Sequence, residues 1–204
     1  MITRQRYVLD TSAFTNAVEG GDKITIDFIK KLTKLVSEAR VNLNISCYIP
    51  IPTIYDELMI SFNKLGVKQE LITEIETWFI KKTPDRYNVK ISAQIFYDFI
   101  TDIRERINKG LRVSEDAVKI AVKENDHGPV IADLRGKYKS ALREGILDSK
   151  EDLDVLLLAK EMDATVVSAD EGIRKWAERI GLKYLEAKKF PIVLEEFLEK
   201  GEKS

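Results

Sequence analysis

Asp148-Ser149-Lys150-Glu151-Asp152-Leu153-Asp154, running into Val155-Leu156-Leu157-Leu158 and then Val166-Val167-Ser168-Ala169-Asp170, decides how this chain folds. The first part opens a helix. The last part is a short apolar run that reads as a buried strand and ends on a carboxylate, a group that is costly to bury unless something neutralises it. Tyr7-Val8-Leu9-Asp10-Thr11-Ser12 repeats that pattern near the N-terminus. Asp148 and Asp152 are four residues apart at the helix start, so both carboxylates share one face of its first turn. Carboxylates from two strand ends and one helix start can therefore converge on a single site.

Working outward, strands alternate with helices. Arg6 to Leu9 predicts a first strand, Asp22 a helix cap, and Phe28, Ile29, Leu32, Leu35 and Val36 a helix ending near Arg40. Leu43 to Tyr48 reads as a second strand, broken by Pro50-Ile51-Pro52. Thr53, with Asp56 completing a capping box, opens a helix to Gly66 that carries Glu57. A further helix is expected over 68–82, and a short strand over 89–91. After the helix from Asp148 to about Met162 come a strand over 165–168, a helix over 171–180 stopped by Gly181, and a strand over 183–185. Such alternation predicts an α/β fold with a central parallel sheet covered on both faces.

Between these parts lies a block without strands. Ile95, Phe96, Phe99, Ile100, Ile103 and Ile107 mark an amphipathic helix that Lys109-Gly110 should stop. Ser114 begins another, ending at Asn125-Asp126-His127-Gly128-Pro129, and Ile131, Leu134, Tyr138, Leu142 and Ile146 trace a third. The expected organisation is residues 1–91, a helical insertion over 92–147, and residues 148–204 completing the first domain. His127 beside Gly128-Pro129 reads as a turn residue.

Composition sets the bounds. Lys and Arg number 33 against 34 Asp and Glu, so a basic excess does not advertise nucleic acid. The one cysteine, Cys47, excludes an internal disulfide and a cysteine-rich zinc site, and reads as a strand residue in a reducing compartment. No apolar run approaches a membrane span and the N-terminus lacks a signal-peptide core, so a cytoplasmic protein with no membrane partner is expected. Locally, Arg135, Lys137, Lys139 and Arg143 outnumber Asp133 and Glu144, and Arg135, Lys139 and Arg143, four residues apart, form a basic stripe. Its default reading is a solvated face, yet phosphate contacts need the same pattern.

Hard oxygen ligands without matching His or Cys suit Mg²⁺ or Mn²⁺, and such clusters commonly activate water on a phosphodiester. Each acid also has a plainer reading. Asp148 can cap its helix with Glu151 completing a capping box, Asp152 can complement the helix dipole, and Asp154 can be a solvated neighbour. Asp170 can cap the next helix, Asp10 can make an Asx-turn, and Glu57 can be a surface residue. Taken one by one, these readings leave unexplained why four aspartates fall at the same end of one sheet.

The Val8-to-Ser12 phrase, Glu57 after Pro52, Asp152 with Ala159, and Val166 to Asp170 resemble the acidic motifs of PIN-domain metal-dependent ribonucleases. Asp148, the phrase Ser168-Ala169-Asp170-Glu171-Gly172-Ile173 and the helical insertion are similar, more narrowly, to the small RNA-free ribonuclease P proteins of bacteria and archaea, homologs of Aquifex ribonuclease P. The resemblance implies a PIN-like three-layer α/β/α sandwich whose insertion helices form a spike that builds homo-oligomers. It implies an endoribonuclease that removes the 5′ leader of precursor tRNA and leaves a 5′-phosphate. Asp10, Asp148, Asp152 and Asp170 would be catalytic and hold Mg²⁺ or Mn²⁺, with Glu57 and Asp154 as further candidates, and the stripe Arg135, Lys139, Arg143 together with Lys137 would bind RNA. The rival readings are a toxin-type PIN ribonuclease cleaving other RNA, and a non-catalytic RNA-binding PIN scaffold.

Overall fold

The computed structural model describes residues 5–15, 25–123, 127–143, 147 and 149–201. The sequence-derived assignments that fall on Asp22, Asn125, Asp126, Glu144, Ile146 and Asp148 lie outside these residues. The chain divides into two compact units, one made of Met1–Lys90 with Ser149–Ser204 and the other of Ile91–Asp148.

The first unit is built on a five-stranded parallel sheet. Its strands are β1 (Arg6–Leu9), β2 (Ser46–Pro50), β3 (Ile80–Lys82), β4 (Thr165–Ser168) and β5 (Tyr184–Glu186), in the order β3-β2-β1-β4-β5. Tyr7 pairs with Cys47 on one side and Thr165 on the other, so β1 is central. The short helix α1 (Ser12–Thr15) follows β1, and α2 (Ile26–Leu43) leads to β2. Then come α3 (Thr53–Leu65) and α4 (Gln69–Trp78). Helices α7 (Lys150–Met162), α8 (Glu171–Ile180) and α9 (Phe190–Gly201) belong to the C-terminal part.

The connection from β1 through α2 moves one way across the sheet, and those through α7 and α8 move the other way. Right-handed crossovers then put α2 and α7 on opposite faces, which makes three layers. Helix α9 packs on α2, and α7 crosses β1, β2 and β4. Buried Phe14 touches Phe62 and Phe79 with ring centroids 5.8 and 5.4 Å apart, which closes the core behind the end of β1.

The second unit is helical. It contains α5 (Gln94–Ala121) and α6 (Gly128–Arg143), which pack on each other. Gly110 does not stop a helix, as the sequence suggested, but lies buried within α5. A Cβ there would stand 2.8 Å from Tyr138 Cε2, so the glycine admits the Tyr138 ring of α6 at close range.

Other boundaries also differ. Asn44 adopts a left-handed conformation at φ 55° and caps α2, so the helix consumes Leu43 and β2 starts later, at Ser46. The expected helix over 68–82 ends at Trp78, and its last residues form the edge strand β3, whereas 89–91 form no strand. Among the described residues no helix is long and apolar enough to cross a membrane.

Candidate active site

In a parallel sheet of this order, the connections leaving β1 and β4 run in opposite directions, which opens a crevice outside the carboxyl ends of these two strands. Asp10 follows β1 directly, and its backbone N–H donates to the Val167 carbonyl of β4 at 3.0 Å. The residue is 7% exposed. Its Oδ1 accepts from Thr11 N at 2.7 Å. Its Oδ2 accepts from Ser12 Oγ at 2.6 Å, Ser168 Oγ at 2.8 Å and Ser12 N at 3.4 Å. The Asx-turn reading therefore holds, within a larger network. All these donors are neutral, and among the described residues no Lys or Arg forms a salt bridge with Asp10.

The two serines extend the network to β4. Ser168 Oγ accepts from Asp170 N at 3.0 Å, and Ser12 Oγ accepts from Ala169 N at 2.8 Å. Asp170 is the N-cap of α8, its carboxylate accepting from Ile173 N at 2.9 Å, and it remains exposed. Glu57, one turn into α3, accepts from Thr11 Oγ1 at 2.8 Å and is exposed. Asp10, Glu57 and Asp170 are thus connected through Thr11 and Ser168. Tyr184 supports the same strand end: its hydroxyl donates to the Ser168 carbonyl at 2.5 Å, and burial pushes its pKa up to about 12.

Asp152 stands half-buried in the first turn of α7, its N–H donating to Ser149 Oγ at 3.0 Å. Ser149, not Asp148, is therefore the N-cap of this helix, and its hydroxyl cap on Asp152 N replaces the capping reading of Asp148 with Glu151. Asp148 itself lies outside the described residues. Among the described residues no group of three or more Asp, Glu, His or Cys side chains is close enough to hold a metal.

Asp154 is not the solvated neighbour that its sequence context suggested. It is 1% exposed and accepts from Arg86 Nε at 2.9 Å, Arg86 Nη2 at 2.6 Å and Thr53 Oγ1 at 2.9 Å. That fork meets both oxygens of Asp154 and its charge. The same contact overturns the capping box at Thr53: the N-cap of α3 is Pro52, which makes no side-chain cap, and Thr53 turns its hydroxyl to Asp154. Arg86 had no sequence signal, because its partner lies far along the chain and Arg86 itself sits in no motif.

On α6, Arg135 and Lys139 are exposed. Lys137 is tied to Asp133 at 2.8 Å, which raises its pKa, and Arg143 is the last residue of the helix. Cys47 is buried in β2, and burial pushes its thiol pKa up, away from reactivity.

The chemistry available is that of hard oxygen donors around a buried, charged Asp10 that only neutral groups support. Hard oxygens are the type of donor a divalent cation takes, and they give no foothold for soft-metal or thiol chemistry.

Known proteins narrow this reading. The sequence profile of the family described as PINc domain ribonuclease matches residues 6–199, and PIN nuclease domains generally use divalent metals. The chain is 44% identical to an RNA-free ribonuclease P of Methanocaldococcus jannaschii, covering 98% of this chain and 95% of the relative. It is 45% identical to one of Archaeoglobus fulgidus, covering 96% and 92%. A third, from Methanothermobacter thermautotrophicus, is 44% identical over 98% and 99%.

Proposed function

Because the chain belongs to the RNA-free ribonuclease P family of PIN-domain endoribonucleases, we propose that it removes the 5′ leader of precursor tRNA with Asp10, Asp148, Asp152 and Asp170 as the acids that hold Mg²⁺ or Mn²⁺. Glu57 is a further ligand candidate. The observation that carries this reading is Asp10: a carboxylate buried at the switch point of the sheet, linked through Ser168 to Asp170, with its charge left for something other than a lysine or arginine.

The bound metal would supply an activated water and stabilise charge on the cleaved phosphodiester. The chain's own residues do the rest. Ser12 and Ser168 hold the Asp10 carboxylate in one orientation, and the N-cap bond to Ile173 holds that of Asp170. Arg135, Lys139 and Arg143, with Lys137 partly neutralised by Asp133, meet phosphates of the tRNA body, where shape is read more than sequence. The helical insertion over 92–147 is the homo-oligomer interface. In support, Phe96, Ile100, Ile107, Leu111 and Val118 are exposed on α5, more apolar surface than a helix pair leaves in water.

The test is product mapping. Purified protein with precursor tRNA and Mg²⁺ should make one cut at the mature 5′ end, leaving a 5′-phosphate, and EDTA should stop it. Scattered cuts in mature RNA would favour a toxin-type ribonuclease, and binding without cleavage a scaffold. Ile107→Glu should shrink the particle in light scattering. A wild-type monomer at micromolar concentration would refute the interface.

A further inference from the structure

The junction of Arg86, Asp154 and Thr53 lies outside the proposed set of ligands, yet it joins two of the helices that carry them. Asp154 is two residues beyond Asp152 on α7, so its side chain leaves the helix about 200° around from that of Asp152. Thr53 is the first residue of α3, and Glu57 lies one turn further along the same face. The Arg86 fork fills both oxygens of Asp154, and Thr53 adds a third hydrogen bond. A planar guanidinium can meet both oxygens only in one plane, so the contact fixes the rotation of α7 and not merely its distance from α3.

The same segment is fastened to α7 a second time. Glu161, seven residues beyond Asp154 and on the same side of the helix, accepts from Asp85 N at 2.9 Å and pairs with Lys82 Nζ at 2.9 Å. Asp85 in turn accepts from Tyr87 N and Asn88 N at 3.0 Å each, and from Asn88 Nδ2 at 2.7 Å, which gives the segment after β3 a defined shape. These bonds hold its carboxyl below the usual aspartate range, so the turn keeps its charge. Arg86 is thus presented to Asp154 from a braced turn rather than from a free side chain.

We propose that Arg86 is a positioning residue of the metal centre: through Asp154 and Thr53 it sets the rotation of α7 against α3, and so the placement of Asp152 and Glu57. This rests on the reading that these carboxylates hold the metal. Removing Arg86 leaves Asp154 charged and buried without its cation, and α7 must turn or shift to relieve it. The ligand set would loosen while the RNA-binding surface stays as it was.

The experiment measures Mn²⁺ binding to the full chain, by the electron paramagnetic resonance signal of free Mn²⁺, alongside the Mg²⁺ dependence of cleavage. Wild type and Asp152→Asn come first. If wild type does not bind Mn²⁺ at millimolar concentration, or if Asp152→Asn binds equally well, the ligand assignment itself fails, and the inference with it. Given a metal site, Arg86→Ala should weaken Mn²⁺ at least about fivefold and raise the Mg²⁺ needed for half-maximal cleavage equally, with precursor tRNA affinity in Ca²⁺ unchanged. Arg86→Lys should fall between, since one ammonium cannot fill both oxygens. The double variant Arg86→Met with Asp154→Leu removes the buried charge together with its partner, so thermal stability should recover while Mn²⁺ affinity does not. Wild-type Mn²⁺ affinity in Arg86→Ala or Arg86→Lys, or its return in the double variant, would overturn the positioning role.

Discussion

Asp10 and Asp154 are both buried carboxylates in the α/β unit, and they are supported in opposite ways. Asp154 is met by a guanidinium fork and a hydroxyl, so its charge is cancelled inside the protein. Asp10 is met by two serine hydroxyls and two backbone N–H groups, none of which carries a charge. Burial costs are comparable, so the difference lies in what completes each site. A carboxylate paired with arginine is finished when the chain folds. One that is oriented by neutral donors at a sheet's switch point still has a full charge to offer a cation.

The sharpest way to break this comparison is to make the same change at both positions. Asp10→Asn should lower cleavage on the order of 10³-fold or more, because the group lost acts directly at the site. Its fold should survive, since an amide can keep most of the same neighbours, and the melting temperature should stay within about 3 °C. Cleavage within tenfold of wild type would remove Asp10 from the site and leave two merely structural acids.

Asp154 should show the reverse pattern. Asp154→Ala removes the acceptor of both Arg86 and Thr53, with an expected loss of about 2–3 kcal/mol in denaturant unfolding, toward the low side because Arg86 is half exposed and can rehydrate. At saturating Mg²⁺ the rate of the folded variant should fall far less than in Asp10→Asn. A loss of activity as large as that at Asp10, with stability intact, would turn Asp154 from brace to ligand.

The difference between the two acids was only half legible in the sequence. The α/β order was readable because β1, β4 and the face of α8 are local patterns, and Asp10 stood out because a charge ends an apolar run. Asp154 was misread because its meaning depends on Arg86 and Thr53, which are distant in the chain, and an acid two residues from Asp152 looks like its companion. Adjacent cap-forming residues hid the true cap, since Asp148 and Ser149 both suit an N-cap and only backbone geometry chooses Ser149. Edge strand β3 was hidden inside an apolar run continuous with α4, and Lys81 and Lys82 gave it no strand-like alternation. Gly110 reads as a helix stop only until the ring that fills its place is known.

A smaller effect should separate the orientation of Asp10 from its charge. Ser168→Ala removes one hydroxyl donor to Asp10 and the acceptor of Asp170 N, with β4 otherwise intact. The expected cost is about 1–2 kcal/mol in stability and about tenfold in cleavage rate, because the carboxylates remain but are held less firmly. Unchanged cleavage would mean that the Ser12 hydroxyl and the two backbone N–H groups fix Asp10 without Ser168.

The smallest effect belongs to Tyr184, which acts on Ser168 from behind. Its hydroxyl donates to the Ser168 carbonyl, and its pKa rises from an ordinary 10.0 to about 12, first through burial and then through the charge of Glu186. A folded pKa above the unfolded one means that the native state favours the protonated phenol, so the stabilisation is fully present below pH 10 and is lost as pH rises through about 12. Tyr184→Phe should therefore cost about 1 kcal/mol at neutral pH, less than Ser168→Ala, and change cleavage by no more than about threefold. The stability gap between wild type and variant should stay level from about pH 6 to 9 and narrow above pH 10, where the unfolded phenol ionises first. Denaturant unfolding across that range checks it. A gap that is absent at neutral pH, or that persists undiminished above pH 11, would show that the Ser168 end of β4 holds its place without this tyrosine, and that the support of Asp10 ends at the two serines.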